Sequence, residues 1–177
     1  MDKTYADTVR LLLAVAPDVF ANDIFAMKGG TAINLFVRDM PRLSVDIDVV
    51  YLPWQTPRDE ALQAINQELA AIAARVAPLG GQTRLVRAKD LGDTKLIVEN
   101  DASQVKIEVN VVFRGSVLPV ERRPLSAKTS DLFGVEFELP VLAPDELYAS
   151  KLVAALDRQH PRDLFDVWQL FESGDIS

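Results

Sequence analysis

The stretch "MKGGTAINLFVRDMPRLSVDIDVVY", Met27 to Tyr51, places a paired glycine shortly before two aspartates, Asp46 and Asp48, that sit among β-branched residues. A carboxylate among apolar neighbours is costly unless something compensates its charge. The alternation in "SVDIDVVYL" predicts a strand, in which successive side chains point to opposite faces. Asp46, Asp48 and Val50 then share one face, and Val45, Ile47 and Val49 share the other. The apolar face is suited to packing on a helix, while the acid face must meet solvent or cations.

A second run repeats the arrangement. In "VKIEVNV", Val105, Ile107 and Val109 face one way, and Lys106, Glu108 and Asn110 the other. If the two strands are neighbours, Glu108 lies beside Asp46 and Asp48, and three clustered carboxylates repel one another strongly without a cation. Such a trio can hold two divalent ions, one activating an attacking oxygen and one stabilising a leaving phosphate. The chain has no cysteine and one histidine, His160. A metal here is therefore held by oxygens, which favours magnesium, manganese or calcium.

Gly29-Gly30-Thr31 falls between a predicted strand, "IFAMK", and a predicted helix, "TAINLFV", with Thr31 as its cap. A turn of this kind lets backbone N–H groups approach a phosphate closely. Gly-Gly-Thr alone is a weak signal. Joined to Asp-x-Asp and to a third acid on a later strand, it becomes fairly specific.

The remaining sequence supplies the frame. At 177 residues one domain is expected, with 49% hydrophobic and 25% charged residues. Helices are expected from about Tyr5 to Ala16, and from Thr56-Pro57 through Leu62, Ile65, Leu69, Ile72 and Val76 to Gly80-Gly81. Strands are expected at "TRLVRA", "TKLIVEN" and "QVKIEVNVVF", then an irregular, basic stretch from Arg114 to Pro140. Two helices follow, at about Asp145 to Arg158 and Pro161 to Phe171. The fold class is α+β, a central mixed sheet flanked by helices, with C-terminal helices. Residues 1–140 form the core, and residues 141–177 a helical segment completing the site.

"LLLAVA" near the N-terminus is too short to span a bilayer and lacks a signal-peptide cleavage pattern, so no membrane association and a cytoplasmic location are expected. The formal charge of −7 argues against broad nonspecific nucleic-acid binding.

The strings "KGGTAINLF", "RLSVDIDVVY", "KIEVN", "LYASKLVAALDR" and "RDLFDVWQL" together resemble the AbiEii/MenT group, toxin components of bacterial toxin–antitoxin systems within the polymerase-β-like nucleotidyltransferase superfamily. The resemblance covers about Phe25 to Leu170. It implies that Gly29, Gly30 and Thr31 hold nucleotide phosphates, and that Asp46 and Asp48 bind Mg2+ or Mn2+ with Glu108 as third carboxylate. It further implies that Lys151 contacts the triphosphate, and that Asp163 or Asp166 is a fourth-motif acid. Spacing on a helix puts both acids on one side and does not choose between them. An NTP substrate, a tRNA or other RNA acceptor and a cognate antitoxin are implied in the same way. Members of the group continue with further C-terminal helices after the position of "FESGDIS", so a compact member and a sequence lacking that region are the alternatives.

Simpler roles stand beside these. Lys151 can cover apolar surface near Leu147 with its stem, Asp163 can favour a helix N-terminus, and Asp166 can pair with Arg162. Arg42 reads as a phosphate contact or a surface charge. Arg114, Arg122, Arg123 and Lys128 form the best basic cluster, and His160 reads as a loop residue. Trp168 and Phe171 read as core. A small cationic acceptor such as an aminoglycoside, and a silent interaction module, are the competing functions; the acidic net charge supports the former.

Overall fold

The computed structural model describes residues 3–79, 81–88 and 92–173. Helix α1 (Lys3–Val19) is followed by strand β1 (Phe25–Lys28), then by a helical turn α2 (Gly29–Ala32) that continues as a π-helical segment, Ile33–Val37. Strand β2 (Ile47–Tyr51) and helix α3 (Arg58–Val76) come next, α3 ending in a 3-10 turn at Ala77–Leu79. Gly80, expected to stop that helix, lies outside the described residues. Strands β3 (Gln82–Ala88), β4 (Gly92–Glu99) and β5 (Gln104–Asn110) follow as expected.

The stretch 114–140, expected to be irregular, contains β6 (Glu121–Pro124), α4 (Ala127–Phe133) and β7 (Glu138–Val141). Its pattern is weak for a physical reason. β6 is "ERRP", a short charged strand at the end of the sheet, the form by which edges avoid further pairing. Helices α5 (Pro144–Arg158) and α6 (Pro161–Ser173) complete the described chain.

The seven strands of the described residues form one mixed sheet in the order β3-β4-β5-β2-β1-β7-β6. β2 runs parallel to β5 and antiparallel to β1, and β1 runs parallel to β7. Ile47, Val49, Val105 and Ile107 are buried together, as their alternation requires, and α1 and α3 pack against the sheet through Val9, Leu12, Ile65, Leu69 and Ile72. The expected acid face is therefore the opposite one.

Glu68 is the one charged residue α3 buries; it accepts from Asn22 at 2.7 Å and pairs with Arg75. That satisfies a carboxylate that burial would otherwise penalise. No described helix is long and apolar enough to cross a membrane.

Two readings are corrected here. Trp168 and Phe171 are 51% and 60% exposed, not core: periodicity identifies an apolar helix face but not whether anything covers it. Thr31 is not a cap. Its helix begins two residues earlier, at Gly29, after Lys28 in extended conformation.

Candidate active site

Sheet register brings four charged residues into one row. Lys28 on β1 is opposite Asp48 on β2, Asp48 is opposite Glu108 on β5, and Glu108 is opposite Lys95 on β4. Residues directly opposite one another share a face, so the row reads plus, minus, minus, plus across the sheet. The two strands are neighbours, and Glu108 thus lies beside Asp48 on the face that the alternation gave both. Asp46 precedes the first residue of β2, so it is held by the approach to the strand rather than by the strand itself.

The two acids at the centre of the row are under electrostatic load. Burial, followed by the charges of Asp46 and Glu108, pushes the Asp48 carboxyl up to about 6, despite the opposing charges of Lys151 and Lys28. Lys28 is lowered, chiefly by its own burial, with Lys151 adding to the effect while Asp48 and Glu146 oppose it. Glu108 spends part of its charge on Lys95, whose Nζ is 3.0 Å away, and both side chains are about two-fifths exposed. Among the described residues no three His, Cys, Asp or Glu side chains form a ready metal cage. Asp46 and Asp48 nevertheless fit a divalent cation, because their donors are all oxygens and an added positive charge relieves the repulsion on Asp48.

The glycines make this arrangement sterically feasible. Gly29 has φ +77°, a left-handed backbone, and a Cβ there would collide with the Asp48 carboxylate. A Cβ on Gly30 would sit 2.5 Å from Arg42 Nη2 and 2.9 Å from Ser44 Oγ. The pair is thus needed to seat Asp48 and Arg42 against the turn.

Thr31, 1% exposed, donates its hydroxyl to the Asp46 carbonyl at 2.5 Å and lies 3.0 Å from Ser44 Oγ. Fully buried Asn34 donates to the Gly30 carbonyl at 2.7 Å and accepts from the Arg42 backbone N–H at 3.2 Å. These contacts fold the segment before β2 back onto the glycine turn. Asn34 and Ser44 were not singled out from sequence; a buried amide in an apolar helical run was the available signal.

The C-terminal helices supply a second set of charges. Arg42 donates twice to Asp166, both distances 2.6 Å. Lys151 Nζ lies 2.7 Å from Asp163 and 3.2 Å from Asp166, and Arg158 lies 2.9 Å from Asp163. The five form an alternating chain, Arg42–Asp166–Lys151–Asp163–Arg158. Asp163 and Asp166 are 4% and 2% exposed, and both acids are paired within this chain. Asp166 pairs with Arg42 and Lys151, not with the solvated face of its own helix. Arg42 is held by Asp166 rather than lying as a free surface charge, and Lys151 does more than cover apolar surface.

Lys28, Gly29, Asp48, Glu108, Lys151 and Arg158 all line one cavity of about 470 Å³. Each residue of the expected basic cluster has a partner within the chain. Arg114 donates to the Thr56 carbonyl, Arg122 to the Glu138 carbonyl and Lys128 to the Asp39 carbonyl, while Arg123 pairs with Glu121. His160 precedes α6 and accepts from the Arg162 backbone N–H through Nδ1 at 3.2 Å.

A mixed sheet with a glycine turn against Asp-x-Asp and helices across the cleft is the fold of nucleotidyltransferases. MenT4, a nucleotidyltransferase toxin from Mycobacterium tuberculosis, shares it with a TM-score of 0.62 at 22% identity, over 93% of this chain and 59% of that one. The antibiotic-resistance factor ANT(2'')-Ia shares it with a TM-score of 0.52 at 15% identity, over 98% of this chain and 85% of its own. This chain therefore spans about three-fifths of the length of MenT4. No curated protein matches it by direct sequence comparison. The family model for the nucleotidyl transferase AbiEii toxin of type IV toxin–antitoxin systems matches residues 10–177, and the chain belongs to that family.

Proposed function

We propose that this chain transfers a nucleoside monophosphate from an NTP to an acceptor hydroxyl, with tRNA as acceptor, and acts as the toxin of a pair with a cognate antitoxin. The observation that carries this reading is the Lys28–Asp48–Glu108 row beside Gly29, with Lys151 and Arg158 lining the same cavity.

Asp46 and Asp48 would hold Mg2+ or Mn2+, with Glu108 as the third carboxylate. When bound, the cation lowers the acceptor hydroxyl's pKa and neutralises triphosphate charge. The Gly29 and Gly30 backbone N–H groups, joined by that of Thr31, face the phosphates. The Thr31 hydroxyl holds Asp46 in place through its carbonyl. Lys28, Lys151 and Arg158 balance the triphosphate, and Asp163 and Asp166 orient Lys151. Arg42 ties the approach to β2 to α6 through Asp166. In the transfer the acceptor oxygen bonds to the α-phosphorus and the bond from that phosphorus to the bridging oxygen breaks. Pyrophosphate leaves with the electron pair, and the hydroxyl proton is released. Residues 1–140 form the catalytic core and residues 141–177 complete the site.

The test offers four labelled NTPs, one at a time, with magnesium and total bacterial tRNA, beside an Asp46→Ala/Asp48→Ala control. Label on tRNA with the unmodified protein alone supports the reading and identifies the base. The net charge of −7 favours one competing acceptor, a small cationic molecule. Label on a cationic aminosugar and none on tRNA would move the assignment there, and NTP binding without transfer to any acceptor would indicate a silent module.

A further inference from the structure

The face of the sheet that carries Asp48 and Glu108 continues past them onto β4 and β3. Register puts Arg84 on β3 opposite Ile97 on β4, and Ile97 opposite Lys106 on β5. Ile97 and Lys106 each stand two positions from Lys95 and Glu108, so the three residues form the next row on the acid face. Rows on one face are about 7 Å apart and strands about 5 Å apart. Lys106 is therefore one row from Glu108, and Arg84 is about 10 Å from Lys106, backbone to backbone.

This row is open and its charges are uncompensated. Leu96, Val98, Val105 and Ile107, which alternate with these residues, are buried under α1 and α3 on the other face. Arg84 and Lys106 are exposed, while Ile97 between them is only 8% exposed, flanked by their aliphatic stems. Neither Arg84 nor Lys106 has an ion-pair or hydrogen-bond partner for its side chain among the described residues, unlike Arg114, Arg122, Arg123 and Lys128. Lys95 adds a third cation in the row before, shared with Glu108. Glu99, in the row beyond, accepts from Gln104 at 3.0 Å and bounds the basic patch.

We propose that Arg84, Lys106 and Lys95 form a track for the sugar-phosphate backbone of an RNA acceptor, leading its end to the Asp48–Glu108 row. The inference rests on the nucleotidyl-transfer reading above and adds the surface that holds the acceptor. A cation that neutralises a phosphate releases the counterions condensed on the strand, and such contacts position a nucleic acid without reading its bases. The chain as a whole carries −7, so an uncompensated basic row beside its carboxylates is a local reversal of sign. It attracts a polyanion and repels a polycationic aminosugar. Neither Arg84 nor Lys106 lines the Asp48 cavity, so the track is separate from Lys28, Lys151 and Arg158, the cations of the triphosphate.

The test compares the full chain carrying Arg84→Gln/Lys106→Gln with one carrying Lys3→Gln/Arg58→Gln, which removes the same charge from exposed positions of α1 and α3 on the opposite face. Lys95 is left in place because it holds Glu108. Binding of a labelled single-stranded RNA oligonucleotide is measured across a salt series, NTP binding by calorimetry, and label transfer to total bacterial tRNA by initial rates. The Arg84/Lys106 variant should bind RNA about 10- to 30-fold more weakly at 0.1 M salt, whatever the RNA sequence. Its log–log salt slope should be shallower by about 1.4, at about 0.7 per single-stranded phosphate contact. The KM for tRNA rises accordingly, while NTP binding and kcat at saturating tRNA stay at wild-type values. Arg84→Lys/Lys106→Arg, which keeps both charges, should bind RNA as the wild type does.

Equal RNA affinity and salt slope in the Arg84/Lys106 variant and the wild type, or an equal loss in the Lys3/Arg58 variant, overturns the track while leaving nucleotidyl transfer standing. So does loss of poly-glutamate binding in the Arg84/Lys106 variant with RNA binding intact, which gives the face to an acidic protein instead. If the unmodified chain transfers label to no RNA, the acceptor reading falls and takes this inference with it.

Discussion

Arg42 and Asp166, 124 residues apart in the chain, meet in a two-pronged ion pair with both donor–acceptor distances at 2.6 Å. Asp166 is 1% exposed at its side chain and Arg42 13%, so the pair is nearly desolvated. Removing one member of such a pair strands the other and costs about 3–5 kcal/mol. Asp166→Ala is therefore expected to lower stability by that order in urea unfolding. Arg42→Lys should recover only part of it, because an ammonium cannot reproduce the guanidinium fork. Unchanged stability in both variants would mean that the pair does not fasten α6 to the segment before β2.

Asp163 gives a pH signature. Burial raises its carboxyl, but the hydrogen bond and charge of Lys151, with the charges of Arg158 and His160, outweigh burial and hold it below the ordinary value of 3.8. A depressed carboxylate contributes stability that is fully present above the unfolded value and is lost as pH falls through the folded one. Asp163→Asn should therefore be less stable than the wild type at neutral pH, and the two should converge in acid below pH 3.8. Thermal unfolding across that range checks it; a difference that grows in acid would contradict the ion pair.

Gly29 and Gly134 separate backbone strain from a steric clash. Both have positive φ, +77° and +67°, but nothing lies within 4 Å of a Cβ at Gly134, whereas at Gly29 the Asp48 carboxylate fills that space. Gly134→Ala should cost only the left-handed penalty, about 1–2 kcal/mol, and leave transfer unchanged. Gly29→Ala should in addition displace Asp48 and lower the transfer rate by about tenfold or more. Equal activity of the two variants would show that Asp48 tolerates the displacement.

How much of this was legible in the sequence follows from the range of each interaction. The alternation around Ile47–Tyr51 and Gln104–Asn110 fixed the shared face of Asp48 and Glu108, because a period of two is a local property. The steps of three and four through Ile65, Leu69, Ile72 and Val76 located α3 for the same reason. Arg42–Asp166 was not legible, since no local pattern couples residues on elements that only the fold brings together. Trp168 failed in the opposite direction, as an apolar helix position that the described residues leave exposed.

The carboxylates themselves yield the last prediction, and its sign is opposite to that of Asp163. Asp48 is raised to about 6 by burial and by the charges of Asp46 and Glu108, so its ionised form is destabilising at neutral pH. Asp48→Asn removes one of three like charges while keeping the side chain's shape. In metal-free buffer it should unfold at a higher temperature than the wild type, although nucleotidyl transfer is lost. Magnesium should then stabilise the wild type and leave Asp48→Asn nearly unmoved, because a ligand stabilises a protein only in proportion to its binding. A variant less stable than the wild type without metal, or equally stabilised by it, would mean that Asp48 is a structural acid.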